Sequence, residues 1–384
     1  MYYILKVNNM FNSFWIKLLS FLMSLALSLG TFFGIYKAPT TREAEYYRNG
    51  DIKNVILLIG DGMGFNHLEK TKKELGIELS MDSFPVKGSS MTRSYSDRVT
   101  DSAAGGTALS SGVRTKNSVV AAYALDKQSK YFYPKTITEL CLESGMMTGV
   151  ITTDETSGAT PASFSAHSSD RYNTEDITND QLTSDIDLIW GRENGVATKA
   201  AAEENGFGYV TTYSEMMALE EGSRSFAQFK NSLWTLEQSD ENTPNLEQMA
   251  VKAVDLLDDT DEGFFIMIEG AHIDKHSHNN LSSEMTEALA EFDRTVEAML
   301  EYAKNDGETL VVVTADHETG GITLDGDAYV FTETGHTAAD VPVLVFGSDK
   351  LIYDGEQLNN YEIAIRIAYT IGFSEDEFPV SVTV

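Results

Sequence analysis

Aspartate and histidine recur together in the last third of the chain, which also holds five of its seven histidines. Asp274 and His278 are four residues apart, a spacing that places two side chains on one face of a helical turn. Asp316 and His317 are adjacent, and His336 follows on a predicted loop. Carboxylate and imidazole ligands together suit zinc. One such pair would be equally typical of a solvated loop, but the grouping of all five residues favours a metal site.

A serine that could act as a nucleophile lies in the sequence VTDSAAGGTA, residues 99–108. Ser102 comes where a helix can begin, so its hydroxyl would face free backbone N–H groups and the positive end of the helix, which favour a bound phosphate. An ordinary N-cap serine explains the segment equally well. The chain has no G-x-S-x-G motif, so an α/β-hydrolase triad is not supported. A nucleophilic Ser102 would therefore need a metal to activate it.

Two more segments carry side chains that could bind a cation or an anion. Asp61 ends an apolar run in the sequence GDGMG, where glycines permit close approach of the backbone, although an Asp-Gly turn is the plainer interpretation. Residues between Thr160 and Arg171 recur at helical spacing, which predicts that these two share a helix face. A guanidinium can bind two phosphate oxygens at once, whereas an arginine in such a segment is more often only a surface residue.

Short apolar runs adjoin these polar segments. Because the runs are rich in β-branched residues and alternate with helical patterns such as Met285–Leu300, they predict parallel strands of an α/β sheet. Four runs are followed by a polar cluster, at the carboxyl end where such sheets bind ligands, and the fifth run follows His336. We predict a three-layer α/β/α fold with a central, mostly parallel sheet. The runs are Val55–Ile59, Met147–Ile151, Phe264–Ile268, Leu310–Val313 and Val341–Phe346.

The N-terminal residues are predicted to direct export. Lysines precede the hydrophobic stretch Leu18–Tyr36, which has the layout of a signal peptide and also approaches the roughly 20 residues that a membrane anchor needs. No Ala-x-Ala site or nearby cysteine is present, so cleavage stays open. We predict a signal peptide or membrane anchor over residues 1–37, a polar linker over 38–50 and a catalytic domain over 51–384, with a small inserted surface subdomain at about 172–242. The protein would be secreted, periplasmic or held at the cell surface.

Composition limits the partners of this chain. It carries 28 lysines and arginines against 59 aspartates and glutamates, a net charge of −31. Such a charge argues against nucleic acid or an anionic membrane surface as a broad partner, so an anionic substrate would need a local positive site, which metal ions can supply. Much of the negative charge is also explained simply by the need to keep the protein soluble. Cys141 is the only cysteine, which excludes an internal disulfide, and its spacing from Ile137 predicts a buried core thiol.

Six ordered segments together resemble the alkaline phosphatases, particularly the compact bacterial enzymes. The resemblance is spread over nearly the whole chain after residue 50, and its motifs are highly specific in combination. It implies a homodimer that hydrolyses phosphate monoesters with broad specificity and an alkaline optimum, through a phosphoserine intermediate. The segments are Asn54–Gly64, Val99–Ala108, Gly149–Arg171, Gly263–His278, Leu310–Gly321 and Thr334–Gly347.

The resemblance also implies roles for individual residues. Ser102 would be the nucleophile, and Arg171 would bind the phosphate and be oriented by Asp101. Two Zn²⁺ and one Mg²⁺ are implied for each chain. The implied ligands are Asp274, His278 and His336 for one zinc, Asp61, Asp316 and His317 for the other, and Asp61, Thr160 and Glu269 for the magnesium.

The sequence departs from the family pattern most clearly at the third metal. Gly158, two residues before Thr160, lies where relatives carry aspartate or histidine. We therefore expect no carboxylate there to hold water around magnesium, and a loosely bound ion as the consequence. On this argument the substitution Gly158→Asp should tighten magnesium binding.

Two other functions are weighed against this one. A phosphodiesterase or sulfatase of the same superfamily is the nearer alternative. Sulfatases need a C/S-x-P-x-R context, which is absent because Ser102 is followed by two alanines. Diesterase relatives often use threonine as the nucleophile and lack the phosphate-binding arginine. A non-catalytic surface protein that binds metal or phosphate is the distant alternative, since every implied catalytic position holds a competent residue.

Overall fold

The structure is a computed structural model that describes residues 52–124, 131–230, 242–258 and 260–379. The predicted signal or anchor segment and the linker, residues 1–50, lie outside the described residues. Among the helices of the described part, none has the length and hydrophobicity that crossing a membrane requires.

Sixteen strands and eleven α-helices, numbered in chain order, make up the described part. The strands are β1 (Asn54–Gly60), β2 (Val86–Met91), β3 (Tyr123–Ala124), β4 (Tyr131–Phe132), β5 (Met147–Glu155), β6 (Leu188–Arg192), β7 (Gly208–Val210), β8 (Ser225–Phe229), β9 (Phe264–Gly270), β10 (Thr309–Thr314), β11 (Glu318–Thr319), β12 (Thr323–Asp325), β13 (Ala328–Val330), β14 (His336–Thr337), β15 (Val341–Phe346) and β16 (Gln357–Asn359). The helices are α1 (Phe65–Leu75), α2 (Ser102–Ser111), α3 (Ile137–Glu143), α4 (Ala159–Ser165), α5 (Thr174–Thr183), α6 (Lys199–Glu204), α7 (Tyr213–Met217), α8 (Leu246–Leu257), α9 (His272–Ser277), α10 (Ser282–Asp306) and α11 (Asn360–Thr370).

Ten of these strands form the central sheet, in the order β16-β2-β15-β10-β1-β9-β5-β6-β8-β7. Every pairing in this sheet is parallel except those of β15, which runs antiparallel to both β10 and β2. The predicted mostly parallel sheet is confirmed, but the expectation that Val341–Phe346 is also parallel is wrong. A parallel return needs a crossover, usually a helix. The described chain between β10 and β15 contains only short strands, so it re-enters the sheet from the edge at which β10 ends.

Hydrophobic side chains cover both faces of the sheet, which is why its strands are continuous apolar runs. All seven residues of β1 are buried. Ile56 and Leu58 pack on one face with residues of α8 and α10, whereas Val55, Leu57 and Ile59 pack on the other with residues of α3 and α11. This arrangement confirms the predicted three layers. Cys141, on α3, is fully buried as predicted, and burial raises the pKa of its thiol.

The segment predicted as a surface insertion extends the central sheet. Within residues 172–230, strands β6, β8 and β7 add to the sheet edge beyond β5, all in parallel. Trp190 on β6 is fully buried in the main core, and its indole N–H donates to Ser225 Oγ at 2.9 Å. Residues 231–241 lie outside the described part. This stretch is therefore a continuation of the sheet with three short helices, α5, α6 and α7.

Four adjacent strands end at the same edge of the sheet and bring the predicted site residues together. In the order β10-β1-β9-β5, the register pairs Ile59 with Thr314, Gly60 with Gly270 and Thr152 with Glu269. The polar residues that follow these strands therefore begin at the same level along the sheet edge. Because β15 runs the opposite way, the segment before it, which includes His336 on the short strand β14, lies at this edge too.

Candidate active site

Asp274, His278 and His336 converge on one point. A helical turn carries the first two, since the His278 backbone N–H donates to the Asp274 carbonyl at 2.9 Å. Asp274 Oδ1 lies 3.4 Å from His278 Nε2 and 3.7 Å from His336 Nε2, and the two Nε2 atoms are 3.1 Å apart. Ligand atoms around a tetrahedral zinc are about 3.4 Å apart, given bonds of about 2.0–2.2 Å. The three atoms therefore have the spacing of one zinc's ligands.

Asp61, Asp316 and His317 form a second group of three at the ends of β1 and β10. His317 Nε2 lies 3.2 Å from Asp316 Oδ2 and 3.6 Å from Asp61 Oδ1. Asp316 Oδ1 accepts hydrogen bonds from the backbone N–H groups of Gly62, at 3.2 Å, and His317, at 3.0 Å. These bonds turn Asp316 Oδ2 towards the other two side chains. All three residues are buried.

The two groups are neighbours. The rings of His317 and His336 stack with centroids 3.6 Å apart and an interplanar angle of 22°. Asp274, His317 and His336 also offer ligand atoms that all lie within 4.8 Å of one another. Two cations held by the two groups would therefore lie side by side at this edge of the sheet.

Hydrogen bonds determine which ring nitrogen of His278 and His336 carries the proton. His336 Nδ1 lies 2.9 Å from the carbonyl oxygen of Thr100, and His278 Nδ1 lies 2.6 Å from that of Thr334. A carbonyl oxygen can only accept, so each Nδ1 donates, and each neutral ring keeps a lone pair on Nε2. Two such acceptors only 3.1 Å apart repel unless a cation lies between them. The arrangement thus fits a bound metal.

Thr319 orients His317 and Asp274 in the same way. Its hydroxyl donates to Asp274 Oδ1 and accepts from His317 Nδ1, 3.2 Å away, so His317 also keeps its Nε2 lone pair. The sequence patterns considered above did not indicate Thr319. Its position two residues after His317 is the available signal, because residues two apart on an extended chain share a side.

The carboxylates of the second group are crowded and uncompensated. Asp61 Oδ1 and Asp316 Oδ2 are buried, and no donor among the described residues gives either a hydrogen bond. The pKa of Asp61 is raised well above its ordinary value, first by burial and then by the charge of Asp316 and two further carboxylates. The pKa of His317 is lowered well below its ordinary value, first by burial and then by His336. A cation here would compensate the buried negative charge.

Thr160 and Glu269 carry the other oxygen atoms expected for the third cation, and the charge of Glu269 acts on Asp61. Thr160, the second residue of α4, has a buried hydroxyl oxygen with no partner among the described residues. Glu269 Oε2 accepts from the hydroxyl of Thr152, which lies opposite it in the sheet. Burial, followed by the charge of Asp154, raises the pKa of Glu269 to about 8. This corner offers only oxygen ligands, as magnesium prefers.

The expectation that this corner lacks a further carboxylate is wrong. A Cβ at Gly158 would lie 2.7 Å from Asp154 Oδ2, so the carboxylate of Asp154, near the end of β5, already lies beside the glycine. Asp154 also pairs with Lys275. Gly158→Asp would crowd this carboxylate, so this substitution should not tighten magnesium binding. Sequence spacing gave no sign of this because Asp154 precedes Thr160 by six residues, across a turn.

Ser102 is the first residue of α2, and its Oγ lies 3.2 Å from His317 Nε2. The helix is capped by Asp101, whose Oδ1 accepts from the Ala104 N–H at 3.0 Å. Ser102 is therefore not the N-cap, so the plainer interpretation of this serine is wrong. Gly105 allows α2 to pack closely against the segment that carries Asp316, because a Cβ at position 105 would lie 2.9 Å from the Asp316 carbonyl oxygen.

Arg171 does not share a helix with Thr160, so that prediction from helical spacing is wrong. Helix α4 ends at Ser165, and Ala166 is extended. Arg171 is held instead by Asp101, whose Oδ2 lies 3.2 Å from the guanidinium Nη1 and accepts from the Ser118 N–H at 2.8 Å. The Arg171 N–H donates to the Ser118 carbonyl at 2.8 Å. Asp101 thus fixes both the start of α2 and the guanidinium.

Comparison with known proteins gives the family of this chain. The family model for alkaline phosphatase matches residues 52–188 and 185–371. The chain is similar to alkaline phosphatase 4 of Bacillus subtilis, with 31% identity over 343 residues that cover 83% of this chain and 73% of the relative. It is 27% identical to the alkaline phosphatase of Escherichia coli over 399 residues, covering 84% and 83% of the two chains.

Solved structures give the same result. The alkaline phosphatase of the Antarctic bacterium TAB5 is 30% identical, with a TM-score of 0.73, and the match covers 85% of this chain and 100% of that one. A mutant of that enzyme was solved with magnesium bound in its M3 site. The family model alone spans most of the chain. The chain therefore belongs to the alkaline phosphatase family, and it is a metal-binding hydrolase of phosphate monoesters.

Proposed function

We propose that Ser102 is the nucleophile of a two-step hydrolysis that passes through a phosphoserine. The observation that carries this proposal is the 3.2 Å between Ser102 Oγ and His317 Nε2, which brings the hydroxyl to the edge of the second ligand group. In the first step Oγ bonds to phosphorus while the bond between phosphorus and the substrate's alcohol oxygen breaks, and the alcohol leaves with the equivalent of the serine proton. In the second step the oxygen of water bonds to phosphorus while the bond between phosphorus and Oγ breaks, a proton from that water restores the Ser102 hydroxyl, and inorganic phosphate is released.

We assign two Zn²⁺ and one Mg²⁺ to the ligand groups described above. Asp274, His278 and His336 would hold one zinc, because their nitrogen and oxygen atoms have tetrahedral spacing. Asp61, Asp316 and His317 would hold the second. When bound, the ions supply positive charge that stabilises the oxygens entering and leaving phosphorus.

The magnesium is assigned to Asp61, Thr160 and Glu269. The unpartnered Thr160 hydroxyl and the two buried carboxylates support this assignment, as does the magnesium in the M3 site of the mutant Antarctic enzyme. An alkaline optimum and broad specificity are proposed from family membership.

Arg171→Ala is expected to weaken inhibition by inorganic phosphate and to lower kcat/KM. A bidentate charge-assisted contact is worth about 1.5–3 kcal/mol, which corresponds to a factor of roughly 10 to 150. The phosphate inhibition constant of Arg171→Lys should lie between those of the wild type and the alanine variant, because lysine keeps the positive charge but cannot donate two parallel hydrogen bonds. The measurement is the phosphate inhibition constant, with zinc content measured alongside.

Arg366→Ala provides the matched control. Arg366 is likewise an arginine paired with a carboxylate, since its guanidinium donates two hydrogen bonds to Glu356 at 3.0 and 2.8 Å, but it lies on α11. It should leave the phosphate inhibition constant unchanged. An inhibition constant in Arg171→Ala equal to that of the wild type would mean that Arg171 does not contact phosphate.

The substrate class is tested by comparing turnover of p-nitrophenyl phosphate with its diester and sulfate analogues. We expect kcat/KM for the monoester to exceed both others by at least about a hundredfold, since a second ester group removes a charged oxygen that Arg171 would bind. Faster turnover of the diester or the sulfate would favour the superfamily alternatives. No turnover of any of the three by zinc-loaded protein would favour a binding protein.

The remaining proposals concern location and assembly. We propose that residues 1–37 direct export as a signal peptide or as a retained membrane anchor, with residues 51–384 as the catalytic domain beyond a linker. The segment is hydrophobic and follows two lysines, which supports this proposal. A homodimer is proposed by analogy with the family. The net charge of −31 argues against nucleic acid as a broad partner.

A further inference from the structure

Asp154 and Lys275 form an ion pair that none of the assigned roles uses. Asp154 lies near the end of β5, and Lys275 lies on α9 directly after Asp274, a proposed zinc ligand. Burial alone would raise the pKa of Asp154, but the charge and hydrogen bond of Lys275, together with a backbone hydrogen bond from Glu155 and the charge of His272, leave this pKa lowered. The carboxylate is therefore charged at neutral pH.

Gly158 provides the space that this carboxylate occupies. A Cβ at 158 would lie 2.7 Å from Asp154 Oδ2 and 3.0 Å from the Glu155 carbonyl oxygen. The backbone at 158 has φ −54° and ψ 152°, so its conformation does not require glycine. Glycine is needed here because Asp154 lies against it. A side chain at position 158 would therefore displace the Asp154 carboxylate.

A threonine connects Asp154 to the proposed magnesium ligands. The Asp154 backbone N–H donates to Thr152 Oγ1 at 2.8 Å, and the Thr152 hydroxyl donates to Glu269. The charge of Asp154 is also the largest raising influence on the pKa of Glu269 after burial. Asp154 is therefore close to the Glu269 carboxylate and is negatively charged.

We propose that Asp154 is a positioning residue of the third cation site, where it holds the water molecules that complete the magnesium's coordination and neutralises Lys275. Magnesium keeps several waters when proteins bind it, and carboxylates that hydrogen-bond to such waters strengthen binding. The carboxylate comes from position 154 because position 158 has no side chain. This inference rests on the proposed third site.

The test is magnesium titration of the zinc-loaded, full-length protein by isothermal calorimetry. Asp154→Asn removes the charge and leaves Lys275 uncompensated, so we expect the Kd for magnesium to rise by roughly 10- to 100-fold. Gly158→Ala should raise it as well, since its Cβ displaces the carboxylate without changing any charge. The double variant D154G/G158D supplies the carboxylate from the other position and should return the Kd to within about threefold of wild type.

Glu143→Gln is the matched control. It removes one negative charge from an exposed carboxylate at the end of α3, which pairs with Lys135, and it should leave the magnesium Kd unchanged. Zinc content and thermal unfolding verify that each variant is folded. If wild type binds magnesium and Asp154→Asn binds it equally well, this inference fails and the third site stands. If the zinc-loaded wild type binds no magnesium, both fail.

Discussion

Ser102→Ala is expected to lower kcat by at least about a thousandfold, the largest effect of any single substitution in this protein. No phosphoserine can form without the hydroxyl, and loss of a covalent nucleophile costs on the order of 4 kcal/mol or more in transition-state stabilisation. Zinc and phosphate should still bind, because neither ligand group includes Ser102. Asp101 still caps α2, so the thermal unfolding temperature should change little.

Ser111→Ala is the matched control for this experiment. Ser111 is a buried serine on the same helix, but its hydroxyl donates to the Thr107 carbonyl at 2.7 Å, at the opposite end from the site. Its activity should stay close to that of the wild type. A Ser102→Ala variant that retains more than about a tenth of wild-type kcat, with its metals bound, would remove Ser102 from the mechanism.

Removal of the metals is expected to have the second largest effect. Bound metals contribute several kcal/mol to such a reaction, so chelation should lower kcat/KM at least about a hundredfold. Zinc should restore activity, and magnesium alone should not, because both histidine-containing groups favour zinc. The measurement is activity together with elemental analysis before chelation and after each metal is returned. Full activity in protein shown to contain no metal would contradict the two-zinc account.

Chelation should also make the protein's stability depend on pH in a particular direction. In the metal-free protein the pKa of Glu269 is about 8, against an ordinary value of 4.5, and that of Asp61 is raised as well. A raised carboxyl pKa gives stability that is present below the unfolded pKa and lost as pH rises through the folded pKa. The metal-free protein should therefore lose stability between about pH 4.5 and 8.

The measurement is the difference in thermal unfolding temperature between protein loaded with both zinc and magnesium and chelated protein, at several pH values. We expect this difference to widen towards pH 8, because the bound cation compensates the carboxylates once they are charged. If the difference in unfolding temperature stays constant or narrows as pH rises, buried carboxylates at the site do not destabilise the metal-free protein as proposed.

The sequence was most informative where side chains follow predictable strands. Val55–Ile59 and Leu310–Val313 are apolar because both faces of the sheet are covered, and their carboxyl ends therefore located Asp61 and Asp316. The Asp274 and His278 pair followed from helical spacing alone. Each of these predictions depends on a local period, which a sequence displays directly.

Features that depend on distant segments could not be predicted in this way. The direction of β15 depends on the path of a loop, and Arg171 is held by Ser118 and Asp101, more than 50 residues earlier. Asp154 fills the space left by Gly158 only because the turn after β5 folds back on itself. Such contacts leave no periodic pattern in the sequence, so they are visible only in the folded structure.

The most direct test of the central claim is acid quenching of the wild-type enzyme during turnover, followed by peptide mapping by mass spectrometry. We predict phosphate on Ser102, in the segment VTDSAAGGTA, and none on the same peptide from the Ser102→Ala variant. Phosphate on any other residue would contradict a phosphoserine mechanism at Ser102. Equal labelling of Ser102 when phosphate is added only after the protein has been denatured would contradict it as well.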